Sequence, residues 1–196
     1  ILLPQVLDAV KVPVMAAGGF YDGRGLAAAL AFGASGIAMG TRFLMTAESP
    51  VPKATLQRYL DAKDAAKIRA STALDGMPQR MIDNEFLLRL ENSGGLSRLL
   101  MALGSAWKLK QRTGMSAGHM LSTAIKALRD EDMGVAQTLM AANAPVIIQR
   151  AMVDGNPAEG VLPSGQVAAA IHELPTVAEM IGAMAETASA RLKALA

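Results

Sequence analysis

Cysteine is absent from the 196 residues, which removes disulfides, thiolate metal sites and a cysteine nucleophile from consideration. Histidine occurs only twice, and the aromatic complement is one Trp, two Tyr and four Phe. With a net charge of +2 and no run of Lys or Arg, neither a basic surface nor a set of stacking rings is present for nucleic acid. No apolar stretch is long enough to cross a bilayer, and no signal peptide is visible. The chain therefore reads as a cytoplasmic protein without nucleic-acid or membrane partners. No carboxylate pair, nucleophile–base pair or metal-ligand spacing stands out either, so the expectation for metal is none and the catalytic group is not visible in the chain. What remains is abundant Ala and Met, with 52% hydrophobic and 18% charged residues, the make-up of a folded enzyme rather than a disordered chain.

One stretch organises the rest: Val12 to Phe43, VPVMAAGGFYDGRGLAAALAFGASGIAMGTRF. Val12–Ala17 is a short apolar run ending in Gly18-Gly19, the pattern of a buried parallel strand. Asp22 can cap a following helix whose apolar face includes Leu26, Ala29, Leu30 and Phe32, and Gly33 stops it. Gly36–Met39 is a second strand, followed at once by Gly40-Thr41. Two parallel strands thus end in glycine at one edge of a sheet. Glycines there let backbone approach a ligand and point free N–H groups at an anion. In barrels of alternating strands and helices, the loops after the last two strands commonly form a phosphate site. Thr41 adds a hydroxyl and Arg42 a positive charge. Phosphate binding and plain turn geometry are the two readings of this unit.

Elsewhere the patterns are mainly helical. Ile1–Val10 reads as a helix leading into the first strand, and Thr46–Pro52 as a turn. Lys53–Ala70 reads as a helix with Leu56, Tyr59 and Leu60 on one side. Asp75-Gly76-Met77-Pro78 is a turn before Gln79–Leu90. Leu96–Ala142 is helical and Met-rich, the composition of an adaptable core or of a pliable pocket wall. No strand is expected between Lys53 and Met152, Pro145–Ile148 being compatible with strand or helix. Asp154–Pro157 is a turn, Gly160–Gln166 a loop, and Val167–His172 a short apolar piece. Thr176 or Pro175, with Glu179 in the first turn, opens a final helix. Lys108, Lys110 and Arg112 are read either as a solvated helix face or as a clamp for a phosphorylated carrier such as coenzyme A. His119 and His172 read as polar or structural positions. Arg80 and Asn84 read as a helix ion-pair and cap.

The sequence AAGGF-DGRG-AAAL-FGA-GIAMGTRF resembles the C-terminal signature of the nitronate monooxygenase family, to which flavin-dependent enoyl-thioester reductases are closely related. Asp75–Asn84 and Pro163–Gln166 extend the resemblance. It implies the C-terminal part of a TIM (β/α)8 barrel with a mostly helical insert or cap. Residues 1–52 would be the last two βα units, 53–152 the cap, and 153–196 a loop and helix returning to the barrel. A whole barrel needs about 250 residues, and the chain begins at Ile1 inside an apolar helical pattern, so the earlier strands, and the family's catalytic histidine, are expected upstream. The cofactor implied is FMN, its phosphate held by Gly18, Gly19, Gly40 and Thr41, with Gln166 in a loop near it. The activity implied is flavin-mediated oxidation of a nitronate or similar small anion. The alternative is an NAD(P)H-dependent reductase acting on a bulky acyl thioester of CoA or acyl-carrier protein, and the other class of reading is a non-catalytic phosphate-binding subunit. A homo-oligomer is compatible with any of them.

Overall fold

The structure, a computed structural model, describes residues 1–94 and 135–195, with side chains from 135 to 142 left aside. The elements run α1 (Leu2–Ala9), β1 (Met15–Ala17), α2 (Gly23–Ala31), β2 (Gly36–Ala38), α3 (Thr41–Leu44), α4 (Lys53–Asp61), β3 (Ile68–Ser71), β4 (Gln79–Ile82), α5 (Glu85–Glu91), α6 (Val135–Met152), β5 (Leu162–Pro163) and α7 (Val177–Lys193). Short 3-10 turns cover Ala65–Lys67 and Gln166–Ala170. The chain divides into two compact units: Ile1–Pro50 with Tyr59–Ala66 and Ser164–Ala196, and Val51–Arg58 with Lys67–Pro163.

In the first unit β1 and β2 are parallel, Ala16 opposite Ile37 and Ala17 opposite Ala38, with α2 crossing between them. Asp22 starts α2 by accepting the amides of Arg24 at 3.0 Å and Gly25 at 3.2 Å, two of the donors a helix start leaves unpaired. Gly33, at φ +100°, ends it in a conformation that disfavours side chains. Small residues at the interface (Ala16, Ala29 and Ala34) let the helix lie close on the strands, flanked by Leu3, Leu7, Phe20 and Ile37. Leu30 and Phe32, expected on the packing face, are exposed. Helix α7 packs along α2. Gly23 is required there because the α7 backbone at Met184 and Ala188, with Thr187 Cβ, occupies the place of a side chain. A full capping box opens α7: Thr176 Oγ1 accepts the Glu179 amide at 3.2 Å while Glu179 accepts the Thr176 amide at 2.9 Å.

The second unit corrects the all-helical expectation. Its centre is a three-stranded antiparallel sheet in the order β3-β4-β5. Ile68 pairs with Ile82 and Ser71 with Gln79, and Met81 and Ile82 pair onward with Pro163 and Leu162. The helix expected over Lys53–Ala70 ends at Asp61. Asp64 then caps a 3-10 turn by accepting the Ala66 amide at 2.9 Å, and the chain enters β3. The Asp75-Gly76 turn, with Gly76 at φ +84°, is the hairpin connection between β3 and β4. Leu162–Pro163, expected in a loop, is the third strand. Pro145 lies inside α6, so that stretch is helix. Leu74, Met81, Leu87, Ile147 and Val161 meet in one core. Asn84 caps α5 and donates to the carbonyls of Pro157 at 2.9 Å and Gly160 at 2.8 Å, so one buried amide joins two segments. The Leu96–Ala142 expectations about core and pocket wall, with Lys108, Lys110, Arg112 and His119, lie outside the residues whose side chains are described. Among the described residues no helix is long and apolar enough to cross a membrane.

Candidate cofactor site

The two glycine turns leave neighbouring parallel strands at the same edge, because Ala17 and Ala38 are register partners and each turn begins next to them. Gly18 and Gly19 stand at φ +103° and +78°. Their backbone alone calls for glycine, since an L side chain is strained there. Gly40 differs. At φ −89° and ψ −68° any residue is accommodated, and the space where its Cβ would stand is open. Nothing among the described residues therefore requires glycine at 40, whereas a ligand lying against the backbone would. Open space also faces Gly18 and Gly19. The first amides of the helical turn at Thr41 have no partner within the helix, as at any helix start.

Thr41 is tied to a distant part of the chain. Its Oγ1 accepts the Gly165 amide at 2.9 Å, across 124 residues of sequence. Gln166, immediately after Gly165, begins the 3-10 turn that packs on α3, and its side chain is exposed. The structure thus brings all five sequence-predicted residues onto one strand edge and the segment laced to it, although it assigns them no ligand.

Arg42 turns out to be placed differently from the free charge expected beside the turn. It is only 5% exposed and is directed at Glu173, with 3.4 Å to the backbone carbonyl and 3.5 Å to the carboxylate. Burial pulls its pKa below the ordinary arginine range, and the Glu173 charge works against that shift. Its Nε has no partner among the described residues. Arg42 and His172 border a cavity of about 730 Å³, which Asp22, Glu173 and Glu179 also line. With three carboxylates against one guanidinium, this cavity is not built for an anion.

A profile of the nitronate monooxygenase family matches residues 1–187. The chain belongs to the nitronate monooxygenase family. Across its full length it is 45% identical to the (3aS,4S,5R,7aS)-5-hydroxy-7a-methyl-1-oxo-octahydro-1H-indene-4-carboxyl-CoA dehydrogenase of Rhodococcus jostii, covering 100% of this chain and 55% of that protein. A probable nitronate monooxygenase of Staphylococcus haemolyticus is 36% identical over 60% of this chain and 33% of its own length. Among solved structures, FabK of Thermotoga maritima superposes with a TM-score of 0.66 at 26% identity, over 100% of this chain and 50% of that one. The chain thus spans about half the length of these full-coverage relatives. Its α/β fold is the C-terminal part of a TIM barrel. The nitronate monooxygenase family is one of FMN-dependent oxidoreductases.

The Thr41–Gly165 and Arg42–Glu173 ties were not readable from sequence. Partners 124 and 131 residues apart carry no local pattern.

Proposed function

We propose that this chain forms the phosphate-seating side of an FMN-dependent oxidoreductase acting on a bulky alicyclic acyl-CoA thioester. The observation that favours this substrate class is the extent of the similarity. It runs through the whole chain, insert included, for the Rhodococcus jostii CoA-thioester dehydrogenase, but through 60% of it for the Staphylococcus haemolyticus nitronate monooxygenase. A barrel's inserts and loops carry its substrate specificity, while the cofactor turns are shared across many chemistries. Nitronate oxidation is the second reading, favoured by the family match itself.

The residues present fit a flavin phosphate. Gly18, Gly19 and Gly40 have open space where a side chain would stand, and Thr41, directly after Gly40, carries a hydroxyl. In this reading the glycine amides and the Thr41 hydroxyl hold the phosphate, and Gln166 lies in the adjoining loop, where its amide can contact the cofactor. When bound, the flavin supplies the two-electron chemistry that side chains lack. The work of this chain is to fix the cofactor's position, so that substrate meets it in a productive geometry.

The deciding experiment mixes the purified, flavin-loaded full-length protein with candidate substrates in the absence of oxygen. Flavin bleaching by a bicyclic carboxyl-CoA and not by a nitronate is the expected result. Bleaching by the nitronate alone would replace the thioester reading with the second one. Rapid bleaching by NAD(P)H, followed by reoxidation with an unsaturated acyl-CoA, would assign the reductase direction. A protein that purifies colourless and takes up no FMN would leave only a non-catalytic phosphate-binding subunit.

A further inference from the structure

The segment after β5 is laced to the segment after β2 at four points within the first unit. The Gly165 amide donates to Thr41 Oγ1 at 2.9 Å, and Arg42 reaches the Glu173 carbonyl at 3.4 Å. The Ala47 amide donates to the Pro175 carbonyl at 2.9 Å, and the Glu48 carboxylate accepts the Val177 amide at 3.0 Å. Only the first of these bonds ends on a residue of the proposed phosphate seat, Thr41, which directly follows Gly40.

Gly165 itself raises a question of cause. Its φ of −73° and ψ of 151° suit any residue, so the backbone does not demand glycine. Crowding there comes from Thr41: a Cβ at 165 would stand 3.1 Å from Thr41 Oγ1, so the hydroxyl would have to shift by a few tenths of an ångström. A methyl at 165 would press on the same hydroxyl that accepts the amide. A hydroxyl offers one proton and two lone pairs. With one lone pair taken by the Gly165 N–H, rotation of the O–H is restricted and its proton is turned away from the incoming donor. Among the described residues the Thr41 hydroxyl accepts this bond and donates none. A bond accepted by the oxygen also polarises the hydroxyl and makes it a stronger donor.

We infer that Gly165 is a positioning residue for phosphate recognition: its amide orients the Thr41 hydroxyl toward the phosphate of the flavin, giving the site selectivity for FMN over riboflavin. This rests on the reading above that the two glycine turns seat an FMN phosphate. Gly165 touches no ligand in this account and acts through Thr41 alone.

The test uses the full-length protein stripped of flavin and titrated separately with FMN and with riboflavin, which share a ring system and differ by the phosphate. Wild type should prefer FMN. Gly165→Ala should weaken FMN binding on the order of tenfold, the lower range for a hydrogen bond to a charged group, and leave riboflavin unchanged. Thr41→Val should lose the same selectivity and Thr41→Ser should keep it. In the Thr41→Val background Gly165→Ala should add nothing further, because the two residues act in series. An unchanged FMN-to-riboflavin ratio in Gly165→Ala, an equal loss of both ligands, or additivity with Thr41→Val would each overturn the inference while leaving the phosphate seat intact. A wild-type protein with no preference for FMN would instead overturn the seat, and the inference with it. Hydrogen exchange supplies a readout that needs no substitution at 165. The Gly165 amide should be protected in wild type and more so with FMN, and should lose protection in Thr41→Val. Unprotected exchange in wild type would contradict the inference.

Discussion

At the scale of single residues, two glycines separate what the fold needs from what a ligand needs. Gly19, at φ +78°, is held by its backbone, so Gly19→Ala should cost about 1–3 kcal/mol of stability through strain alone. Gly40 has an ordinary φ of −89° and open space around its Cβ position, so Gly40→Val should leave the unfolding midpoint close to wild type, up to the weak preferences of a short helical turn. Flavin content should nonetheless fall to near zero, because the side chain would fill the space the cofactor is proposed to occupy. Absorbance of the purified full-length variant, measured beside its denaturant midpoint, checks both halves. A Gly40→Val protein that purifies with full flavin occupancy would remove the cofactor assignment. Asn84 is the other decisive single residue. Its side chain makes one cap bond and two carbonyl bonds while only 7% exposed. Asn84→Ala should therefore cost about 2–4 kcal/mol, a lost cap plus buried carbonyls left unpaired, read as a fall in the urea midpoint.

Between elements, α2 lies tightly on α7 in the first unit, where Gly23 meets the α7 backbone. Gly23→Ala would gain helix propensity in isolation, yet its methyl has no room. The packing penalty should win, with a net loss of about 1–3 kcal/mol measured by thermal unfolding. In the second unit, hairpin β3–β4 is fastened to α5 by charge. Arg69 spans Glu91 through bonds of 3.0 and 2.6 Å and reaches Asp83 at 2.7 Å, while Ser71 donates to Glu91 at 2.6 Å. Burial alone would raise the Glu91 pKa. The Ser71 hydrogen bond and the Arg69 guanidinium outweigh it and hold the carboxyl below its usual 4.5. A depressed carboxyl pKa stabilises the fold above about pH 4.5, and that contribution is lost as pH falls through the lower, folded value. Urea midpoints between pH 6 and pH 3 should thus decline less steeply in Glu91→Gln than in wild type. Asp22 and Glu179 shift in the same direction and contribute a residual acid slope in both proteins.

On the scale of the whole molecule, the chain spans about half the length of its full-coverage relatives, and β1 and β2 pair in parallel. Met15, Leu30, Phe32 and Phe43 are exposed here, and among the described residues the two parallel strands leave unpaired backbone on both outer edges. Expressed by itself, the 196-residue chain should therefore associate or bind a hydrophobic dye, and co-expression with the remaining barrel segments should suppress both. Light scattering and dye fluorescence on the two preparations give the comparison; equal behaviour would show that those exposed apolar residues need no partner.

The sequence by itself determined the elements whose causes are local. Asp22 before a helix, Gly33 after it, the Thr176–Glu179 capping box and the Gly18-Gly19 turn all act within a few residues of themselves, and all stand where the pattern placed them. The hairpin was also legible in principle, since an Asp-Gly turn lies between Ile68–Ser71 and Gln79–Ile82. Strand pairing, however, depends on a partner across the turn, and four-residue strands hold too few positions for a period to show. Tertiary structure alone decided that Leu162–Pro163 joins that sheet, that Arg42 is buried against Glu173, and that the Gly165 amide meets Thr41. Each of these couples residues 80 or more positions apart, so no short-range pattern could specify them. The physical reason is that hydrogen-bond and burial partners at such separations are selected by the packed fold as a whole, whereas caps and glycine turns are selected by the chain's own neighbouring backbone.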